Sequence, residues 1–343
     1  MTGHWPGGAD QPPHTRAVRL IRPPAGLIRA EDLAVTEVPV RPPGPGDAIV
    51  RVEHISLDPY LALRMAAMEF DADPDPKPVI GRVVGRVVSS RDPALAPGAR
   101  VLGFAEWREL VTGPAAALSR LPKEPADGAA FLGALGHSGV TAWLGMVRIG
   151  QVQPGETVLV SGAAGAVGSI AGQIARDRGA RVIGIAGGAA KARWLREVAG
   201  FDAVLDYQSG DLTAQLAQAA PEGLDLMFEN VGAATLDPAL GAMKRFGRVV
   251  LCGLKQHYQD NEPVALVNFR QLLARAVRIL PFSIYDQDDA EPLAALRDMA
   301  ARGCLQWHIT RHHGFETLPA AFVAMLAGAG FGKHVLSLEM ADM

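Results

Sequence analysis

Three glycines, at 162, 165 and 168, lie in Thr157-Val-Leu-Val-Ser-Gly-Ala-Ala-Gly-Ala-Val-Gly-Ser169, where an apolar strand-like run leads directly into the helical run Ile170 to Arg178. The chemistry this spacing can do is to hold a pyrophosphate. Without a Cβ the backbone turns tightly and comes close to the phosphates, and the helix that follows presents unpaired N–H groups and the positive end of its dipole. The next β-type run, Arg181-Val-Ile-Gly-Ile-Ala186, completes the strand-helix-strand context that separates a dinucleotide site from a chance set of glycines.

The turn after that second strand selects the nucleotide. NAD sites place an Asp or Glu about 20 residues on, to bond the ribose 2′-hydroxyl, whereas NADP sites avoid the carboxylate and supply cations. Here the turn is Ala186-Gly-Gly-Ala-Ala-Lys191, with no acid and a lysine one helical turn in. A 2′-phosphate is repelled by a carboxylate and attracted by Lys191, with Arg193 or Arg176 as helpers. The expected cofactor is therefore NADPH. The alternative is that Lys191 is an ordinary solvated helix lysine.

These residues need a scaffold, and the rest of the chain supplies one. Its 343 residues suggest two domains, and 49% hydrophobic with 20% charged content suits a globular enzyme with a sizeable core. A net charge of -3 gives no basic surplus for nucleic acid, and no apolar run is long enough to span a membrane. The first residues lack the pattern of a signal peptide and are rich in Gly and Pro, so a loose tail over 1–15 and a cytoplasmic location are expected. From 16 to 132 short β-type runs alternate with Pro and Gly, the texture of a mainly β domain. From 133 to 285 the texture is that of an α/β domain, with apolar strands at 157–163, 181–186, 203–207, 224–230, 247–253 and 278–282 and alanine-rich helices between them. Such alternation predicts a doubly wound parallel sheet. Residues 286–343 return to mixed short elements and are assigned to the first domain, which would leave a ligand cleft between the two.

Taken together, Leu135-Gly-His-Ser-Gly-Val-Thr-Ala-Trp143, Ala163-Ala-Gly-Ala-Val-Gly-Ser169, Phe228-Glu-Asn-Val-Gly232 and Met243-Lys-Arg-Phe-Gly-Arg-Val-Val250 resemble the medium-chain dehydrogenase/reductase superfamily. With Ser56-Leu-Asp-Pro-Tyr60 they are most similar to its zinc-independent prostaglandin reductase and leukotriene hydroxydehydrogenase branch, the NADPH-dependent alkenal and enone reductases. The resemblance covers nearly the whole chain after the first fifteen or so residues. It implies a GroES-like β catalytic domain, a Rossmann domain, a homodimer, and hydride transfer to the β-carbon of an α,β-unsaturated carbonyl substrate. It also assigns positions: Gly165, Ala166, Val167 and Gly168 to the pyrophosphate turn, Lys191 and Tyr207 to the 2′-phosphate, and Asn230, Cys252 and Gly253 to the cofactor's surroundings. Tyr258 falls near the nicotinamide. Two departures stand beside these matches. The family's Asp-Pro-Tyr-Met-Arg is Asp58-Pro-Tyr-Leu-Ala62 here, and the asparagine usual before Leu-Gly-Lys is Gly330.

The implied reaction needs a donor for the negative charge that develops on the carbonyl oxygen. Tyr258 and Tyr60 are the candidate phenols, and the ribose hydroxyl of the cofactor is the alternative. A catalytic zinc is not expected. Cys252 and Cys304 are the only cysteines and neither lies in the β domain, His54 has no partner at ligand spacing, and His312-His313 fall in a late turn without acids nearby. Met65, Met68, Phe70, Trp107, Phe282 and Tyr285 are candidate walls of an apolar substrate cleft, and equally candidates for core or subunit-interface residues. Two rival readings remain, an NADPH-dependent quinone oxidoreductase and an NADPH-binding regulatory protein without turnover.

Overall fold

A computed structural model describes residues 13–70, 75–258, 264–285 and 287–338. The chain divides into two units, one comprising the described residues of Met1–Leu132, Ile309–Gly330 and His334–Met343, the other Gly133–His308 and Phe331–Lys333.

The second unit is built on a six-stranded parallel sheet. Across it lie Ala203–Leu205, Arg181–Ile185, Thr157–Val160, Leu224–Glu229, Met243–Leu251 and Arg278–Pro281, the chain order 3-2-1-4-5-6 of a dinucleotide-binding fold. The strands read as continuous apolar runs because helices cover both faces: Val158, Leu159, Val160, Val182, Ile183, Leu226, Met227 and Phe228 are all fully buried. Helices Gly168–Asp177, Ala189–Glu197, Leu212–Ala219 and Ala233–Ala242 make successive crossovers. The strand order reverses between Thr157–Val160 and Leu224–Glu229, so the strand ends at Ser161 and Asn230 flank the crevice where such sheets receive ligands.

The first unit is antiparallel. One sheet runs Leu33–Pro39, His14–Leu20, Lys77–Pro78. The larger one runs Ile309–His313, Lys333–Ser337, Asp47–Leu57, Ile80–Ser90, Arg100–Glu106, Ser119–Arg120, with Leu110–Pro114 also paired to Asp47–Leu57. Leu20, Ile55, Leu57, Trp107, Phe315 and Phe322 fill its main core.

Several sequence expectations change. The strand His14–Leu20 is already paired at His14, opposite Pro39, so backbone pairing begins inside the expected tail. The helix Ala290–Ala301, expected with the first domain, belongs to the second unit and packs on His137–Trp143; its buried Pro292, Leu296 and Met299 form an apolar face, and Gly139 lets Leu296 approach closely. His312 and His313 lie in the strand Ile309–His313 rather than a turn. Of the candidates for cleft wall or core, Met65 and Trp107 are completely buried in the first unit's core, and Met68 and Phe70 are partly buried and pack against it. Among the described residues no helix is long and apolar enough to cross a membrane.

Candidate functional site

At the end of Thr157–Val160 the backbone enters the left-handed region at Gly162 (φ 55°), and the Gly165 N–H closes the turn on the Gly162 carbonyl at 2.9 Å. The helix Gly168–Asp177 starts directly on this turn. A Cβ on Gly168 would stand 2.4 Å from the Gly162 oxygen, so only glycine allows the helix N-terminus to come this close. Ala166 and Val167 form the bend between, and no side chain caps the helix at Val167. The Ser169 N–H donates to the Gly165 carbonyl and the Ile170 N–H to the Val167 carbonyl, both at 3.1 Å, so the helix start offers an anion chiefly the positive end of its dipole. The Gly332 N–H donates to the Ala164 carbonyl at 2.7 Å and braces the turn. Beside it the His308 and Phe331 rings stack at 3.8 Å, with Trp194 against both.

The second strand ends at Ile185, and two residues on, at Gly187, a Cβ would lie 2.8 Å from Tyr207 Cζ; Tyr207 therefore sits over the entry to helix Ala189–Glu197, and the residue is 54% exposed. Lys191 lies in that helix's first turn and is half-buried. Its charge is felt by Lys255, on the turn after Met243–Leu251: burial first, and then Lys191, hold the Lys255 ammonium below the ordinary lysine range. Two cations from different strand ends thus converge here. There is a carboxylate too, which the absence of an acid in 186–190 does not reveal. Asp206 accepts from the N–H groups of Gly188 at 3.3 Å and Gln208 at 2.9 Å.

At the fourth and fifth strand ends, the Asn230 amide donates to the Ser161 carbonyl at 2.8 Å and the Asn230 N–H to the Ser161 hydroxyl at 2.8 Å. Cys252 and Gly253 donate from their N–H groups to the Glu229 carbonyl. Burial, reinforced by Glu229, pushes the Cys252 thiol up to about 12, so it stays protonated and is no nucleophile. Tyr258 folds back so that its hydroxyl accepts from the Leu254 N–H at 3.4 Å, and burial raises its pKa. The phenol is held as a neutral donor.

Gly165, Ala166, Val167, Tyr207, Asn230, Cys252, Gly253 and Tyr258 lie on loops that follow strands of the parallel sheet, and Gly168 and Lys191 in the first turns of the helices that follow its first and second strands. Tyr60 belongs to the other unit, at the start of helix Leu61–Ala66, where its oxygen accepts from Arg82 Nη1 at 3.2 Å. The absent Cβ groups and the uncapped helix suit a dinucleotide pyrophosphate, and the lysine pair suits a phosphomonoester beyond it.

Two family models match the chain, that of the zinc-binding dehydrogenases over residues 166–299 and that of an N-terminal oxidoreductase domain over 16–121. Prostaglandin reductase 1 of Bos taurus is 32% identical over 336 residues, covering 94% of this chain and 99% of the relative. The chain belongs to the zinc-independent prostaglandin and alkenal reductase branch of the medium-chain dehydrogenases/reductases. The NADP(+)-dependent 2-alkenal reductase of Nicotiana tabacum, 31% identical, covers 92% of this prostaglandin reductase-like chain and is itself covered over 94%. The crystal structure of CurA from Vibrio vulnificus in complex with NADPH superposes with a TM-score of 0.88 at 32% identity, covering 95% of this chain and all of that one.

Within this reductase fold, Ser161, Glu229, Thr235, Lys255 and Asp206 are the polar groups at the strand ends that motif spacing did not single out. Only Lys255 carries a local signal, a cation two residues after the glycine that ends the fifth strand.

Proposed function

We propose that this protein catalyses the NADPH-dependent reduction of the C=C bond of α,β-unsaturated aldehydes and ketones, by hydride addition to the β-carbon without a metal. The observation that carries the reading is the meeting, on one sheet edge, of the glycine cradle, the Lys191 and Lys255 cations and the protonated Tyr258 phenol. The relative named 2-alkenal reductase supports the substrate class, and the NADPH-bound CurA structure supports the cofactor.

When bound, NADPH supplies the hydride. The chain's own residues bind and orient it: the backbone around Gly165–Gly168 receives the pyrophosphate, Lys191, Lys255 and Tyr207 receive the 2′-phosphate, and Asn230 and Gly253 shape the crevice. As the β-carbon gains the hydride, the π electrons shift to give an enolate with its charge on the carbonyl oxygen, and a proton taken from solvent at the α-carbon then restores the carbonyl and completes the saturated product. Tyr258, whose oxygen already accepts from Leu254, has its own proton to direct at that oxygen. Tyr60, whose oxygen accepts from Arg82, is the second candidate donor. The metal-free reading follows the zinc-independent branch to which the chain belongs.

The reading includes a homodimer. Arg278–Pro281 is an edge strand of the parallel sheet, and on the segment before it Val267, Phe269 and Leu273 expose most of their apolar surface.

The test is loss of NADPH absorbance with purified protein against alkenals, cyclic enones and quinones, repeated with NADH and with a chelator. Chelator-insensitive, NADPH-selective turnover of enones is expected. Faster turnover of quinones, or binding without turnover, would overturn the reading.

A further inference from the structure

Glu229 closes the fourth strand with no solvent exposure at all. Its carboxylate accepts from the N–H groups of Val231 at 2.5 Å and Gly232 at 2.7 Å, and from Thr235 Oγ1 at 3.0 Å. The Ser161 hydroxyl, at the end of the first strand, is a further donor to it. That same hydroxyl accepts from the Asn230 N–H. Donors from the first strand end, the turn 230–232 and the helix Ala233–Ala242 therefore converge on one side chain. The main chain of Glu229 extends the junction, since its carbonyl accepts from Cys252 at 2.9 Å and Gly253 at 3.1 Å.

The Val231 and Gly232 N–H groups both fall on Oε1, which must therefore be an acceptor, while Oε2 faces the Thr235 hydroxyl; a side chain with no oxygen at that place leaves both turn N–H groups without their acceptor. The turn has little freedom to compensate. Gly232 sits at φ 133°, and a Cβ there would meet the His257 ring at 2.7 Å. If the carboxylate is lost, buried N–H groups lose their acceptor and the turn must re-form around other partners.

We propose that Glu229 is a positioning residue that holds the turn 230–232, and through it Asn230, in the conformation that receives NADPH. The inference rests on the reading of Asn230 as a cofactor contact and adds that its geometry is set from behind by a buried carboxylate. Glu229 itself touches no cofactor or substrate atom in this account.

The test is a double-mutant cycle with Glu229→Leu and Asn230→Ala, reading the NADPH dissociation constant by fluorescence alongside KM and kcat. Glu229→Leu, which removes the shared acceptor, is expected to weaken NADPH about tenfold, with kcat at saturating NADPH within about twofold of the parent. The double variant should bind no more weakly than Asn230→Ala alone. Thr235→Val, which removes one donor and keeps the carboxyl group, should give a smaller loss in the same direction, and it serves where Glu229→Leu does not fold. Parental NADPH affinity in Glu229→Leu, losses that multiply in the double variant, or parental affinity in Thr235→Val where Glu229→Leu does not fold would overturn the proposal. If Asn230→Ala binds NADPH as the parent does, the assignment of Asn230 as a contact fails, and with it the route through that side chain. If Asn230→Ala weakens binding while Glu229→Leu does not, only the positioning role fails.

Discussion

The Tyr258 hydroxyl accepts the Leu254 N–H at 3.4 Å, and its oxygen lies where a Cβ on Gly253 would approach to 2.8 Å. The phenol is thus anchored as an acceptor by its own turn, and burial keeps its proton on. A donor aimed at a developing oxyanion is worth about 10²–10³ in kcat. Tyr258→Phe should lower kcat with enones by that order and leave the NADPH dissociation constant nearly unchanged. An undiminished kcat would transfer the donor role to Tyr60 or to the cofactor's ribose hydroxyl.

Lys191 and Lys255 reach one region from different strand ends, and their mutual repulsion is relieved by an anion between them. Lys191→Ala is expected to weaken NADPH at least about tenfold and NADH hardly at all, since a charge-assisted hydrogen bond is lost only where a phosphate is present. Lys255→Met should act in the same direction. Isothermal titration with both nucleotides decides the matter; equal losses for NADPH and NADH would show that neither lysine reads the 2′-phosphate.

Glu229 links the fold to pH. Burial pushes it up to about 7 from an ordinary 4.5, against the hydrogen bonds from Gly232, Val231, Thr235 and Ser161. Because the folded value is the higher one, the folded state holds the proton more tightly. Its contribution to stability is full below about 4.5 and is lost as the pH rises through about 7. The change amounts to about 3 kcal/mol. Unfolding midpoints in urea should therefore decline less between about pH 5 and 8 in Glu229→Gln than in the parent. Parallel pH profiles for the two proteins would contradict this.

Gly168→Ala places a methyl group 2.4 Å from the Gly162 carbonyl. The helix must withdraw from the turn, and its N–H groups move with it. Loss of NADPH and NADH binding together is expected, with a lowered melting temperature; retained binding of both would show that the pyrophosphate does not sit on this turn.

The parallel sheet was legible because its central strands are buried on both faces, so apolar runs such as Val158–Val160 and Leu226–Phe228 stand out without alternation. Ile309–His313 and Lys333–Ser337 were not legible: they join an antiparallel sheet late in the chain, and their His and Arg residues mask the pattern. At the site, the glycines and Lys191 announce themselves by type and spacing. Glu229 stands in the Phe228–Gly232 motif without showing its role, since the strand order brings it the Ser161 donor and the helix that follows brings it Thr235, and Asp206 reaches Gly188 from eighteen positions further along the chain. For Met65 and Trp107 the sequence leaves cleft wall and core equally open, because apolar side chains look alike in either place, and the fold puts both in the core.

The central claim is tested most directly by running the reaction with NADPH deuterated at the transferable position and locating the label in the product of a simple enone by NMR. Deuterium at the β-carbon of a saturated ketone is the predicted result. Deuterium on the carbonyl carbon of an allylic alcohol, with the double bond intact, would contradict it.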